Sequence, residues 1–349
     1  MSKSLVFMLL CFACCSLADA GQFYSSDSMD LTSGFYDKLR KKVLVGGEDA
    51  QPGQASYVAR IQIKTPENSF QCTGTLVSQE WVLSAAHCFF DKNKLRSTSS
   101  IAINFENAPK PLVVEADQLF THPDYSVSRP LYDLALIRLN RPIFDIDPVQ
   151  IILPTATLPA QTPAQLFGYG HVIAHRRTEI IKNNVAVKLQ TMFLPVIERE
   201  TAIDWIAMKA VHGEEVFDQI RSENRTTPDY FGYFDVMRKD KKVDEMRTQL
   251  DVVLPTKGLI FVGSDENKTA CHGDSGGPLV IYDPKQKYAP IQAGVLHSGY
   301  FGCGFRYSPN LYIDLRAHVD WIQSKVFIQR MNLRLDWNQL RPGFKGIDI

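Results

Sequence analysis

Residues 270–279 read Ala-Cys-His-Gly-Asp-Ser-Gly-Gly-Pro-Leu, and Ser275 at their centre has the surroundings of a nucleophile. A serine hydroxyl attacks poorly near neutral pH, so it needs a neighbouring base and donors for the oxyanion that forms. Gly273, Gly276 and Gly277 flank Ser275, and their missing side chains let main-chain N–H groups point at a substrate carbonyl. A base is offered upstream in Leu83-Ser84-Ala85-Ala86-His87-Cys88. Between the two, Tyr132-Asp133-Leu134-Ala135-Leu136-Ile137-Arg138-Leu139 sets Asp133 at the head of an apolar strand.

Taken singly, each residue has an ordinary reading. His87 could be a structural histidine, Asp133 a strand-edge acid and Ser275 a turn serine. The string Gly273-Asp274-Ser275-Gly276-Gly277 also occurs in unrelated hydrolases. Together, and in the order His, Asp, Ser, the three segments resemble the trypsin/chymotrypsin family of serine proteases. Four further segments carry the resemblance: Leu44-Val45-Gly46-Gly47, Cys72-Thr73-Gly74-Thr75-Leu76, Phe167-Gly168-Tyr169-Gly170 and Pro309-Asn310-Leu311-Tyr312. It covers residues 44–325 apart from one internal stretch.

The resemblance implies an all-β fold of two packed six-stranded antiparallel barrels with the site between them. The first barrel, residues 44–155, supplies His87 and Asp133; the second, 156–325, supplies Ser275. In the family's chemistry Ser275 attacks a peptide carbonyl while His87 accepts its proton and later gives it to the leaving amine. Asp133 orients His87, and the N–H groups of Gly273 and Ser275 hold the oxyanion. No metal or organic cofactor is expected, and the loop between Arg96 and Pro111 has too few acids for a calcium site.

The local patterns agree with strands. Short β-branched and aromatic runs broken by Gly, Pro and Asn predict them at Val58–Lys64, Thr75–Ser78 and Ala135–Leu139. Against the family pattern the chain carries an insertion at 203–256. Ile203, Ile206, Ala207, Ala210 and Val211 recur at helical spacing there, as do Val236, Val243, Met246 and Leu250. The block Arg238-Lys239-Asp240-Lys241-Lys242-Val243-Asp244-Glu245 reads as a solvated helical face, with a partner surface as the sharper alternative. A C-terminal helix is expected before an extension at 326–349.

The ends and the cysteines speak to compartment. After Lys3 an apolar run from Leu5 to Leu17 leads to Ala18-Asp19-Ala20, the pattern of a signal peptide over 1–20, with a propeptide at 21–43. The run is short for a membrane span. Cys11, Cys14 and Cys15 fall within that segment, which leaves Cys72, Cys88, Cys271 and Cys303. Four cysteines allow three pairings. The family resemblance selects Cys72–Cys88 and Cys271–Cys303, each closure stabilising the fold by roughly 3–4 kcal/mol in the chain-entropy model. Lys+Arg and Asp+Glu balance at 38 each, so nothing favours a nucleic-acid partner. The expected product is a secreted, extracellular protein acting on proteins or peptides, with an activating protease and protein inhibitors as further partners and no membrane association.

Several positions depart from the family. Activation there follows cleavage before an Ile-Val-Gly-Gly-like sequence, whose new amine pairs with the acid preceding the nucleophile, here Asp274. Leu44 aligns with that first residue, but Val43 precedes it instead of Arg or Lys. Thr269 stands where trypsin-like members carry the pocket aspartate, so the pocket has no fixed charge for a basic side chain. Asn310 replaces a wall glycine and is expected to narrow the pocket, which Ala270, His272, His297, Ser298 and Gly299 also line. Asn224 and Asn267 head glycosylation sequons. The leading expectation is a serine endopeptidase made as a zymogen and cleaving after neutral residues. The rival is a secreted homologue with weak or no proteolysis that binds or regulates.

Overall fold

In a computed structural model, residues 45–128, 130–172, 185–213, 240–263, 268–283, 288–300 and 302–326 are described. Residues 1–44, where the signal peptide and propeptide are expected, the C-terminal tail, the middle of the insertion and the sequon residues Asn224 and Asn267 lie outside the described residues.

Six strands close the first barrel: β1 (Val58–Lys64), β2 (Ser69–Ser78), β3 (Trp81–Ser84), β4 (Ser100–Phe105), β5 (Leu112–Thr121) and β6 (Ala135–Leu139). Their order around the wall is β1-β2-β3-β6-β5-β4, antiparallel throughout. Ile61, Ile63, Leu76, Leu83, Ile103 and Phe105 fill the interior, fully excluded from solvent. Gly74 on β2 admits no side chain, because a Cβ there would lie 2.6 Å from Ile61 and 2.8 Å from Val82.

The second barrel repeats the plan with β7 (Pro163–Gly168), β8 (Gln190–Ile197), β9 (Leu259–Val262), β10 (Pro278–Asp283), β11 (Ala289–Gly299) and β12 (Asn310–Asp314). The path runs β8-β7-β10-β11-β12-β9, and β9 pairs back onto β8 to close it. Among the described residues the two closed barrels leave no long unpaired edge, the arrangement that removes open strand edges from an all-β fold.

The insertion is helical where it is described. Helix α1 (Arg199–His212) buries Ile203, Ile206 and Ala207 of the spacing read from the sequence, together with Ala202, Asp204, Met208 and Lys209, whereas Ala210 is exposed and Val211 half-buried. Gly213, at φ +75°, ends it. Helix α2 (Lys241–Val253) starts at Asp240, whose carboxylate accepts from the Lys242 N–H at 2.8 Å. Val243 and Leu250 are its buried residues, while Lys241, Lys242, Asp244 and Glu245 face solvent. The two helices share a small core with Phe261, Tyr307 and Leu311 of the second barrel, and an Asp204–Arg247 ion pair joins them. A last helix, 319–326, lays Trp321 against His122 of the first barrel, ring centroids 4.9 Å apart.

Candidate active site

The cleft between the barrels is fastened by β1 and β2. Thr73 on β2 donates its N–H to the Ser275 carbonyl at 2.8 Å and its hydroxyl to the Gly273 carbonyl at 2.9 Å. That hydroxyl also accepts from the Tyr169 N–H at 3.3 Å. Arg60 on β1 pairs with Glu106, donates to the Ala186 and Val187 carbonyls, and lies 4.5 Å over the Tyr169 ring. Gln71 donates to the Tyr169 carbonyl at 2.6 Å. Arg60, Gln71 and Thr73 were not singled out from the sequence. The available signal was polar residues inside otherwise apolar strands, which need partners once buried.

His87 sits on a short 3-10 turn after β3, and Asp133 just precedes β6, which pairs with β3. Adjacent strands therefore bring together residues far apart in sequence. Asp133 is fully buried and accepts from the His87 N–H at 2.7 Å through Oδ1 and from His87 Nδ1 at 2.6 Å through Oδ2. The same Oδ2 accepts from His297 Nδ1 at 2.5 Å. Burial would raise the Asp133 pKa, but the charges and hydrogen bonds of the two imidazoles outweigh it and hold the carboxyl well below its ordinary range. An ionised carboxylate only accepts, so both rings direct an Nδ1–H at it, and Nε2 becomes the basic nitrogen of neutral His87.

His297, expected among the pocket residues, has its ring on Asp133. The pairing of β11 with β12 slips between Leu296 and Ser298, making His297 the extra residue of a β-bulge. A bulge re-aims the side chain it carries, and this one points at Asp133.

The serine loop is built on glycine. Gly273 and Gly276 adopt φ of +95° and +81°, in the left-handed region. Among the described residues no protein acceptor takes the N–H of Gly273 or of Ser275. The Ser275 carbonyl lies 3.9 Å from the Cys88 sulfur, next in sequence to His87. Cys72–Cys88 and Cys271–Cys303 are both formed and tie down the two sides of the cleft.

Asp274 points away from Ser275 into the second barrel, where it is buried. It accepts from the Gly170 N–H at 2.7 Å and the Cys271 N–H at 2.8 Å. Burial pushes its carboxyl up to about 7, against the lowering effect of those two bonds. A Cβ on Gly168 would lie 2.0 Å from its Oδ1, so the close approach requires glycine. Just after the expected junction, Val45 is buried against Cys271 and Cys303, and its carbonyl accepts from the Thr269 N–H at 3.3 Å.

The residues expected to line a substrate pocket have the following surroundings. Thr269 is buried, and its hydroxyl accepts from the Gly304 N–H at 2.7 Å. Asn310 is also buried; its Oδ1 accepts from the Ala270 N–H at 2.9 Å and its Nδ2 donates to the Val262 carbonyl. Opposite, a Cβ on Gly299 would lie 3.6 Å from the Ala270 carbonyl and 3.7 Å from Asn310 Oδ1. Half-buried Ser298 lies beside Gly299 on β11. His272 is exposed and its ring is 5.7 Å from that of His171.

Two clusters have donor types that suit a metal: Cys72, His87 and Cys88, and His87, Asp133 and His297. In the first the sulfurs are bonded to each other. In the second both Nδ1 atoms already hydrogen-bond Asp133 at 2.6 and 2.5 Å. Those contacts are closer than ligands around one zinc ion can stand, because bonds of about 2.0–2.1 Å in a tetrahedron hold them further apart.

The comparisons with known proteins point the same way. The profile of the Trypsin family matches residues 44–217 and 234–322. The chain is 24% identical to the venom peptide isomerase heavy chain of Agelenopsis aperta over 81% of its own length and all of that protein. It is 26% identical to the suppressor of tumorigenicity 14 protein homolog of Bos taurus over 82% of its length, spanning 28% of that longer protein. A snake venom serine protease homolog of Bothrops jararacussu is 23% identical, with 83% of this chain and 90% of that one aligned. With the profile matched on both barrels and interrupted within the insertion, this chain belongs to the trypsin family of serine proteases.

Proposed function

We propose that the protein is a secreted serine endopeptidase that hydrolyses peptide bonds through an acyl-enzyme. The observation that carries this reading is the buried Asp133 carboxylate holding His87 by both its backbone N–H and Nδ1. That arrangement leaves Nε2 to accept the proton of Ser275 as it attacks. The N–H groups of Gly273 and Ser275 then stabilise the oxyanion, and His87 returns its proton to the leaving amine. Residues 1–20 act as the leader and 21–43 as the propeptide. Removal of the propeptide delivers the amine of Leu44 to Asp274, a buried acid that a cation would hold ionised. Activating proteases and protein inhibitors are the partners this chemistry implies, and Asn224 and Asn267 are the glycan sites.

Asn310 favours a second reading, a secreted homologue with weak or no proteolysis, because the resemblance assigns it to the pocket wall and its buried side chain accepts from the Ala270 N–H. Reaction of the processed protein with a fluorophosphonate probe separates the two. Stoichiometric labelling at Ser275, lost in Ser275→Ala, is expected; absence of labelling after correct processing would select the second reading.

A further inference from the structure

Lys209 is a lysine where lysine is rarely found. It lies on α1, only 3% exposed, and lysines are seldom buried unless their ammonium is matched by hydrogen-bond partners. Its Nζ donates to the Arg306 carbonyl at 2.6 Å and to Ser308 Oγ at 2.7 Å, with the Phe305 ring 5.6 Å away. One turn earlier on α1, the Trp205 ring packs edge-on against Tyr307, centroids 5.2 Å apart. Tyr307 holds φ at +51°, a left-handed conformation that a tyrosine adopts only when its surroundings impose it. Helix α1 thus grips every residue from 305 to 308. The other end of this segment meets the pocket: Cys303 is bonded to Cys271, Gly304 donates to Thr269, and Asn310 accepts from Ala270. Helix α2 braces α1 from behind through Arg247–Asp204 and Arg199–Asp251.

We infer that Lys209 is a positioning residue for the substrate pocket, and that the helical insertion acts by holding the 303–310 wall in its binding shape. This rests on the endopeptidase reading for its kinetic consequence, while the structural consequence stands apart from it. The chemistry at Ser275 is not reached by the grip; binding of the side chain preceding the scissile bond is.

The test uses the full processed chain carrying Lys209→Met, which keeps the aliphatic stem and removes the ammonium. Three measurements are made, giving the three quantities compared below: the labelling rate by a small fluorophosphonate that leaves the pocket empty, steady-state turnover (kcat with KM) on the best peptide, and hydrogen exchange over 303–310. The expected result is an unchanged labelling rate, a KM raised about tenfold with kcat nearly constant, and lost protection over 303–310. Labelling and turnover falling together, or all three quantities matching the parent, would overturn the inference. Should Lys209→Met fail to fold, Ser308→Ala removes one acceptor without touching the helix and must move KM and protection in the same direction. A parent protein inert to the probe defeats the endopeptidase reading alone; exchange over 303–310 then decides this inference by itself.

Discussion

His297 and His87 hydrogen-bond the same oxygen of Asp133, from opposite barrels, at 2.5 and 2.6 Å, with their rings edge to face 5.8 Å apart. The negative charge that steadies a protonated His87 is therefore shared with a second imidazole. Sharing orients the carboxylate but weakens its hold on a proton at His87.

Replacing His297 by Ala separates these two effects. Loss of a buried bond to a charged group is expected to lower kcat roughly tenfold through poorer orientation. The undivided Asp133 charge then stabilises the His87 cation more, raising its pKa. The acid limb of the kcat/KM profile should move to higher pH. A profile that stays in place would show that His297 does not share the charge.

Asp274 makes stability depend on pH in the uncleaved chain. Burial lifts its folded pKa to about 7, well above that of an ordinary carboxyl, so the folded state holds a proton that the unfolded state has released. Native stability from this group is present below about 4 and declines as pH rises from there to about 7, by an amount on the order of a few kcal/mol. Uncleaved Ser275→Ala protein should lose melting temperature across that window relative to the same protein with Asp274→Asn. Parallel curves would remove the basis for the effect.

Processing is expected to change that dependence. Active material should begin Leu-Val-Gly-Gly, with no tether to the removed segment, since 21–43 contains no cysteine. N-terminal sequencing of labelled protein decides this. An active form beginning at Gly21 would contradict the pairing of Leu44 with Asp274.

The pocket chemistry predicts substrate choice. A Lys or Arg side chain entering beside Thr269 would lose its water without gaining a carboxylate, at a cost of several kcal/mol. Leu or Met avoids that penalty, and Asn310 disfavours large aromatics. Peptide-library profiling should show cleavage after neutral side chains of moderate size, and Asn310→Gly should extend the profile toward Phe and Tyr. Dominant cleavage after Arg would refute the pocket reading while leaving the roles of His87 and Ser275 intact.

Much of this architecture is legible in the sequence because it is local or motif-bound. The strand at Val58–Lys64 and the Cys72–Cys88 and Cys271–Cys303 pairs appear where expected, and the spacing of Ile203, Ile206, Ala207, Ala210 and Val211 falls on a helix, although Ala210 is exposed. His297 was not legible in the same way. The resemblance offered it as a pocket residue, and nothing local in the sequence marks the register slip on β11 that carries its ring to Asp133. Lys209 escaped for a related reason. Its partners, Arg306 and Ser308, are far along the chain, and a lysine on a helix reads as solvated until the packing is known.

Thr73 bears on how the molecule comes together. Its bonds to Gly273, Ser275 and Tyr169 mean that the serine loop takes its shape only against a strand of the other barrel. Each barrel has a closed sheet of its own and can acquire native secondary structure before the two meet. A chain arrested at that stage would match the native protein by circular dichroism yet remain inert to any reagent for an activated serine. In the processed protein, docking of the halves and the appearance of reactivity would then be a single kinetic event.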